Sequence, residues 1–443
     1  MKKELSVGII FYFLAFTLLA QESLLKSGPM VGYSTMREVK LWVQTTSEAD
    51  VKITYWDKRD STKIFETETY KAIKRNAYIV HPIADEIEPG IKYQYKLYIN
   101  NQIVDRSYPL EFQTQVLWQW RTDPPPFKFA TGSGAFINEK EYDRPKPYGA
   151  DYEIYTSIYN QHPDFMLWLG DNFYLREADF NSRTGILKRM THDRATQEFQ
   201  PLLGSVHHYA IWDDHEFGPN NSDRSFWNKE TTLEAFKLFW ANPSYGIKGK
   251  PGTTTMFQWA DADFFLLDNR YYRAPNDRKF NKDGMLGEDQ LKWLIDALIF
   301  SYAPFKFIAI GGQFLNPNAG GENHATYAEE REIILTEIEA EGIEGVIFLT
   351  GDVHRSELSK LDREGTYPIY DFTVSPFTSG PTTWDNPINP LRIDGTLVKK
   401  RNYAIFEFDG PRKDRKLKCT VYDKDGNLFW DYSIKASELK NKK

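Results

Sequence analysis

The stretch FMLWLGDNFY, from Phe165 to Tyr174, places polar side chains directly after a buried strand. Its first five residues are apolar, as expected for a short strand that is covered on both faces. Gly170 then permits a sharp turn, and Asp171 is presented where the strand ends. A carboxylate can bridge two cations, and a phenol three residues later can bind one of them. A turn aspartate that caps a helix is the alternative interpretation of this motif.

A denser polar cluster, WDDHEFGPNN, runs from Trp212 to Asn221 after a second apolar run. It contains three acids and an imidazole, among them Asp214 and His215. Packing this much charge together is costly unless cations or hydrogen bonds compensate it. Because Trp212 and Phe217 bracket the cluster with bulk that prefers burial, the pattern favours a compensated site over an exposed acidic loop.

Two further clusters also follow predicted strands. The sequence GDVH ends in Asp352 and His354, which alternate and can therefore face one site from an extended strand end. A carboxylate with an imidazole suits a transition metal. Arg270, in the segment LDNR, could grip phosphate through two hydrogen bonds, although surface ion pairs explain arginines as often. Layered α/β domains build their sites at the carboxyl ends of strands, so this placement favours a functional site.

The chain divides into two patterns on either side of the linker candidate Pro124-Pro125-Pro126. Residues 28–120 contain short runs of β-branched and aromatic residues separated by turn formers, which predicts a small all-β domain of immunoglobulin or fibronectin type. In residues 127–435, compact apolar strands alternate with helical stretches such as Glu288 to Tyr302. This alternation predicts a layered α/β domain.

The N-terminus predicts export. Lys2 and Lys3 precede an apolar run from Val7 to Ala20, and polar residues follow. This is the pattern of a secretory signal peptide over residues 1–20, with a cut after Ala20, although a retained anchor is the alternative. No later stretch has the composition of a membrane span, so we expect none in the mature chain and a periplasmic or extracellular location.

Composition limits the partners. The formal net charge is -7 at pH 7, which gives no support to a nucleic-acid partner held by bulk electrostatics. The only cysteine is Cys419, so an exported form of this chain has no internal disulfide. Cys419 lies in a strand-like run and is predicted to be a small core residue.

In this order and spacing, the clusters resemble the alkaline phosphatase D (PhoD-like) family of the calcineurin-like metallophosphoesterase superfamily. Gly170 to Tyr174 resembles the GDxxY motif, Trp212 to Asn221 resembles the WDDHE block, and Ser375 to Gly380 resembles a further family segment. The resemblance covers nearly the whole mature chain. It implies an α/β fold in which a layered β-sandwich with flanking helices, of metallophosphoesterase type, follows a small all-β immunoglobulin-like domain.

The resemblance also implies a set of metal ligands. Asp171 would bridge two ions. Tyr174 and His354 would bind the first, expected to be iron(III), and Asp214 and Asp352 would bind the second, expected to be calcium. The complete set of candidate ligands is Asp171, Tyr174, Asp214, Gln313, Asp352 and His354.

A hydrolytic mechanism follows from these roles. A hydroxide held by the metals would attack phosphorus, and His215, together with Asp214, would form the catalytic pair that assists the leaving oxygen. Asn221 and Arg270 would contact the phosphate or support the ligands. The function implied is a phosphoric ester hydrolase, either a monoesterase or a diesterase, acting on a small phosphate ester or a phospholipid.

One position departs from the family pattern. The family usually carries an iron-ligating cysteine after the first strand of the catalytic domain, and Gly134 stands at that place in this sequence. Ser133 could substitute by a shift of the loop, or water could fill the position. The alternative functions are therefore a phosphodiesterase or phospholipase D-like activity, and a non-catalytic protein that binds metal or phosphate.

Overall fold

Short apolar runs become strands along most of the chain in this computed structural model, which describes residues 24–280, 282–320, 322–383 and 389–442. The predicted signal peptide, residues 1–20, lies outside the described residues. The strands of the N-terminal part are β1 Leu25–Ser34, β2 Val39–Thr45, β3 Ala49–Asp57, β4 Asp60–Glu66, β5 Tyr70–Ala72, β6 Ile79–Val80, β7 Ile83–Ala84, β8 Lys92–Ile99, β9 Gln102–Val104 and β10 Glu111–Gln113.

The remaining part of the chain alternates strands with helices, as the sequence pattern predicts. Its strands are β11 Phe127–Gly132, β12 Phe165–Leu169, β13 His207–Ile211, β14 Thr255–Trp259, β15 Ala262–Leu266, β16 Phe305–Ala309, β17 Val346–Thr350, β18 Glu357–Leu361, β19 Ile369–Thr373, β20 Asn402–Asp409, β21 Lys416–Asp423 and β22 Leu428–Lys435. The α-helices are α1 Glu153–Asn160, α2 Arg183–Arg194, α3 Gln200–Ser205, α4 Asp214–Phe217, α5 Lys229–Phe239, α6 Glu288–Phe300 and α7 Ala328–Ala340.

Two sheets pack face to face. The first has the order β22-β21-β20-β11-β12-β13-β1-β2-β6, with β7 also paired to β2, and the second has the order β14-β15-β16-β17-β19-β18. Aromatic side chains fill the space between them. Phe129 of the first sheet meets Phe264 and Phe307 of the second edge to face, with ring centroids 5.3 and 5.7 Å apart. Large buried rings in this geometry dominate the energetics of a core.

Helices cover the outer faces of the sandwich. Leu233 and Phe236 of α5 lie in one apolar cluster with Trp168 of the first sheet, while Leu294 of α6 and Ile334 of α7 lie in the cluster that contains the second sheet. The predicted α/β fold, a layered sandwich with flanking helices, is therefore confirmed. Cys419 is buried as predicted. Among the described residues, no helix combines the length and apolar character needed to cross a bilayer.

The N-terminal part is all-β, as predicted, but its strands enter two sheets. The third sheet has the order β10-β8-β3-β4, with β5 on β3 and β9 on β8. Strands β1 and β2 instead extend the first sheet, where β1 runs parallel to β13 and pairs Val31 with His207. The division into residues 28–120 and 127–435 stays a prediction.

His207 connects these parts of the chain. Its Nδ1 donates to the carbonyl of Gly32 in β1 at 2.7 Å, and its Nε2 accepts the backbone N–H of Gln113 in β10 at 3.0 Å. Since one ring nitrogen must donate and the other must accept, the bound imidazole is neutral. Burial lowers the pKa of His207 to about 4.

We expect His207 to make the fold acid-sensitive. Its folded pKa lies below the ordinary value of 6.5, so the unfolded chain takes up a proton first and stability is lost as pH falls from 6.5 toward 4. One such group contributes a slope of roughly 1.4 kcal/mol per pH unit. In urea unfolding, His207→Asn should be less stable than wild type at neutral pH but should lose less on acidification.

The matched control is His162→Asn, because His162 is exposed and has a positive φ of 51°, which asparagine tolerates. Its pH dependence should equal that of wild type. If the free energy of unfolding of His207→Asn changes with pH as steeply as that of wild type, the acid sensitivity arises from other residues.

Candidate functional site

The turns that follow parallel strands of both sheets meet at one edge of the sandwich. Ligand atoms of Asp171, Asp214 and His215 lie within 4.8 Å of one another, and the same is true of Asp213, Asp214 and Asp352. Asp214 belongs to both groups. The structure thus brings together motifs that follow β12, β13 and β17.

Glu216 ties two of these turns together. Its carboxylate accepts the backbone N–H groups of Asp171 at 2.9 Å, Asn172 at 2.6 Å and Asp213 at 3.1 Å. Burial raises the pKa of Glu216 to about 8, and the amide donors oppose this shift. Sequence reasoning assigned Glu216 no role, although it is the last acid of the WDDHE block.

The backbone is strained at three predicted ligands. Asp171, Asp352 and His354 have φ values of 53°, 65° and 51°. These lie in the left-handed region, which residues other than glycine rarely adopt. Such residues cost roughly 1–3 kcal/mol each and cluster at functional sites. Here each strained residue carries a candidate ligand at the shared edge of the sheets.

The carboxyls of Asp171 and Asp352 are poorly compensated within the described protein, whereas the pKa of Asp214 is lowered because its charged and amide neighbours outweigh its burial. Burial raises the pKa of Asp171 well above its ordinary value, and the charges of Asp214 and Asp213 add to this. Burial likewise raises the pKa of Asp352, and the negative charges of Asp213 and Glu322 raise it further. Three buried carboxylate oxygens, Asp171 Oδ1, Asp213 Oδ2 and Asp214 Oδ1, have no hydrogen-bond partner among the described residues. This donor set fits bound cations, which would supply the missing positive charge.

A second kind of donor lies beside Asp171. The Tyr174 hydroxyl is 3.1 Å from Asp171 Oδ2 and 3.1 Å from His354 Nε2. The other ring nitrogen of His354, Nδ1, is 2.8 Å from the Tyr148 hydroxyl. A hydrogen bond on the far nitrogen of an imidazole typically orients a metal-binding histidine. Tyr148 was not singled out in the sequence, because its separation of 206 residues from His354 leaves no local signal.

Arg270 is placed differently from a free phosphate-binding arginine. It is fully buried, and its Nε donates to Asp213 Oδ1 at 2.5 Å. Both terminal nitrogens donate to Glu322, each at 2.7 Å. Of the two roles that the sequence suggested, support of the acidic cluster agrees better with this geometry than contact with phosphate.

A glycine makes room for this ion-pair network. A Cβ on Gly311 would collide with the Asp213 carboxyl and the Asn269 amide. Asn269 Nδ2 donates to the same Asp213 oxygen as Arg270, at 2.7 Å. Gly311, after β16, thus allows the second sheet to approach the Asp213 turn closely.

Gln313 lies in a separate polar network. Its Nε2 donates to Glu357 Oε1 at 2.6 Å and to Thr373 Oγ1 at 3.0 Å. Its Oε1 accepts from Asn316 at 3.0 Å and Arg355 at 3.2 Å. Both ends of the amide are therefore engaged, and its predicted role as a metal ligand stays a prediction.

The remaining predicted residues lie at the open side of the cluster. His215 is partly exposed and its ring lies over Tyr174 with centroids 4.2 Å apart. Its Nε2 is 4.0 Å from Asp214 Oδ2. Burial lowers the pKa of His215, so the ring is neutral near pH 7. Asn221 is exposed, and its backbone N–H donates to Asp214 Oδ2 at 2.7 Å.

This sandwich, with its carboxylates, tyrosine and histidine at the strand ends, defines a phosphoric ester hydrolase of the metallophosphoesterase class. A family model described as "PhoD-like phosphatase" matches residues 138–405. The chain belongs to the PhoD-like phosphatase family, as the sequence resemblance predicted. Residues 22–117 match a second model, described as a domain of unknown function, DUF7800.

Individual relatives agree with this assignment. Alkaline phosphatase D of Bacillus subtilis (strain 168) is 25% identical, in an alignment that covers 81% of this chain and 67% of that protein. The structure of PhoD matches 95% of this chain and 92% of that chain, at 20% identity and a TM-score of 0.75. Purple acid phosphatase PPD1 from yellow lupin seeds matches 92% of this chain and 74% of that chain, at 12% identity and a TM-score of 0.67. These two structural matches support the fold.

Arg270→Gln tests whether this arginine supports the acidic cluster. Removing one partner of a buried ion pair leaves uncompensated charge and costs roughly 3–5 kcal/mol. We expect a loss of that size in the free energy of unfolding of the metal-free protein. Arg224→Gln is the control, because Arg224 pairs with the exposed Asp283 and such pairs contribute roughly 0–1 kcal/mol. Unchanged stability with a raised KM would instead assign Arg270 to phosphate contact.

Proposed function

We propose that this chain is an exported phosphoesterase that works with two bound cations. Asp171, Tyr174 and His354 would hold the first ion, expected to be iron(III). Asp214 and Asp352 would hold the second, expected to be calcium, with Asp171 between the two. The observation that carries this proposal is the set of three buried carboxylate oxygens, on Asp171, Asp213 and Asp214, that have no hydrogen-bond partner among the described residues.

Some of the surrounding residues hold the acidic turns in place, and others would act on the substrate. Glu216 fixes the turn that presents Asp171, and Arg270 with Asn269 fixes Asp213 beside Asp214. When bound, the cations would lower the pKa of water to give a nucleophile near neutral pH and would neutralise charge on the phosphoryl oxygens.

His215 would then serve the leaving group. It is the partly exposed member of the group formed with Asp171 and Asp214, so substrate can reach it. Its neutral ring carries an N–H that can donate to the leaving oxygen as negative charge develops there. Asn221, exposed beside Asp214, is proposed to contact the phosphate.

The substrate class proposed is a phosphate ester of a small molecule. A phospholipid substrate and a preference for monoesters or diesters stay predictions from the sequence. The convergence of the Asp171, Asp214 and Asp352 turns supports hydrolysis of the ester rather than non-catalytic binding of metal or phosphate. This holds although Gly134 replaces the cysteine of the family.

The decisive test is metal content paired with hydrolysis of a chromogenic phosphate monoester and a diester. Asp171→Asn should lose bound metal, and its turnover should fall by more than about 100-fold, beyond the 10–100-fold loss typical of residues that only support a ligand. Asp105→Asn, at an exposed position in the N-terminal part, is the control and should behave as wild type. Wild-type protein that holds no metal after reloading and turns over neither ester would refute the proposal.

Export is tested separately, on protein produced with its own N-terminus. The pattern of Lys2, Lys3 and the apolar run to Ala20 predicts removal of residues 1–20. Intact mass should then give a chain that begins at Gln21, in the periplasmic or extracellular fraction. A full-length chain in the membrane fraction would indicate the retained anchor.

A further inference from the structure

The turn at Gly134, where the family resemblance places a cysteine, is bound to the segment 377–379. The Gly134 carbonyl accepts the backbone N–H groups of Thr378 at 3.1 Å and Ser379 at 3.0 Å, and the Ser133 carbonyl accepts that of Phe377 at 2.8 Å. Gly134 itself has a φ of 75°, which favours glycine. Two segments separated by more than 240 residues thus form one backbone unit beside the site.

The Ser379 hydroxyl holds the space that a side chain at position 134 would need. A Cβ built on Gly134 would lie 2.8 Å from Ser379 Oγ and 3.0 Å from Pro376 Cβ. Contacts this short are closer than normal van der Waals packing permits. Glycine at position 134 and serine at position 379 are therefore complementary: the missing side chain makes room for the hydroxyl.

This hydroxyl faces the predicted ligands of the first ion. Ser379 is fully buried, and its Oγ is 3.3 Å from His354 Nε2. The same His354 Nε2 is 3.1 Å from the Tyr174 phenol oxygen, which is itself 3.1 Å from Asp171 Oδ2. Four donor atoms from three distant segments of the chain therefore converge.

Ser133, the other candidate to replace the cysteine, is engaged elsewhere. Its Oγ donates to the Val374 carbonyl at 3.3 Å and accepts the Asp352 backbone N–H at 3.2 Å. The Ser133 hydroxyl thus positions the turn that carries Asp352. It leaves the donor position beside His354 to Ser379.

We infer that Ser379 Oγ is the fourth protein ligand of the cation held by Asp171, Tyr174 and His354, in place of the cysteine of related proteins. The inference rests on the proposed function, because it requires that this ion binds. The resulting donor set is carboxylate, phenol, imidazole and hydroxyl, without sulfur. Oxygen donors favour harder cations, whereas thiolates favour softer ones, so Ser379 shifts the site toward iron(III) or manganese(II).

The first experiment measures how firmly the purified protein, loaded with iron(III), retains that ion against a competing chelator. Ser379→Ala should weaken iron binding by more than about 10-fold, which is at least the loss seen when a partner that only supports a metal ligand is removed. Thr378→Val is the matched control. Thr378 is the buried neighbour, and its hydroxyl donates to the Phe136 carbonyl at 2.8 Å rather than to the site, so its loss should leave iron affinity unchanged.

The second experiment uses Ser379→Cys, which keeps the size of the side chain and replaces oxygen by sulfur. Iron(III) bound to a phenolate absorbs visible light by charge transfer from oxygen, and a thiolate ligand adds a second transition from sulfur. We expect this new absorption in Ser379→Cys and its absence in wild type and in Thr378→Cys.

The outcomes separate the two proposals. Wild-type protein that retains no iron overturns the proposed function and this inference with it. Wild type that retains iron, with equal affinity in Ser379→Ala and Thr378→Val, overturns the inference alone, and so does a Ser379→Cys spectrum identical to that of wild type.

Discussion

The Glu216 carboxylate is the contact on which the arrangement of the site depends. It holds backbone amides of the turn after β12 and of the turn after β13 at once, so that Asp171 and Asp214 are presented side by side. Buried amides need partners, and no strand can supply them where the two strands have ended. A buried carboxylate that accepts three backbone N–H groups therefore replaces the hydrogen bonds between strands at the point where the strands end and the site begins.

Some charged groups of the site are paired with one another, and others are available to bind a cation. Arg270 is matched to Asp213 and Glu322 by short ion pairs, which neutralises part of the acidic cluster inside the protein. One oxygen of Asp171 and one of Asp214 are left without a hydrogen-bond partner among the described residues. A buried carboxylate without compensation is costly, and this residual charge explains why the cluster is suited to cations.

Much of the fold could be predicted from local patterns. Apolar runs such as Phe165 to Leu169 became fully buried strands, because a run of that length must be covered on both faces. The positions of Asp171, Asp214, Asp352 and His354 followed from the same logic, since polar residues directly after buried strands collect at one edge. The joining of β1 and β2 to the first sheet was missed, because a strand's partner is not encoded in its own periodicity.

The sequence by itself determined which strands end in turns that carry candidate ligands, because composition and turn residues act over a few neighbouring positions. Only the tertiary structure decided which polar side chains lie beside the acidic cluster. Gln313 and Ser133, both candidates from the sequence, are hydrogen-bonded to Glu357 and to the Val374 carbonyl, while Ser379, Glu322 and Tyr148 reach the cluster from distant segments. The physical reason is that a buried polar atom bonds to whatever donor or acceptor packing brings within about 3 Å, and that choice depends on contacts between segments hundreds of residues apart.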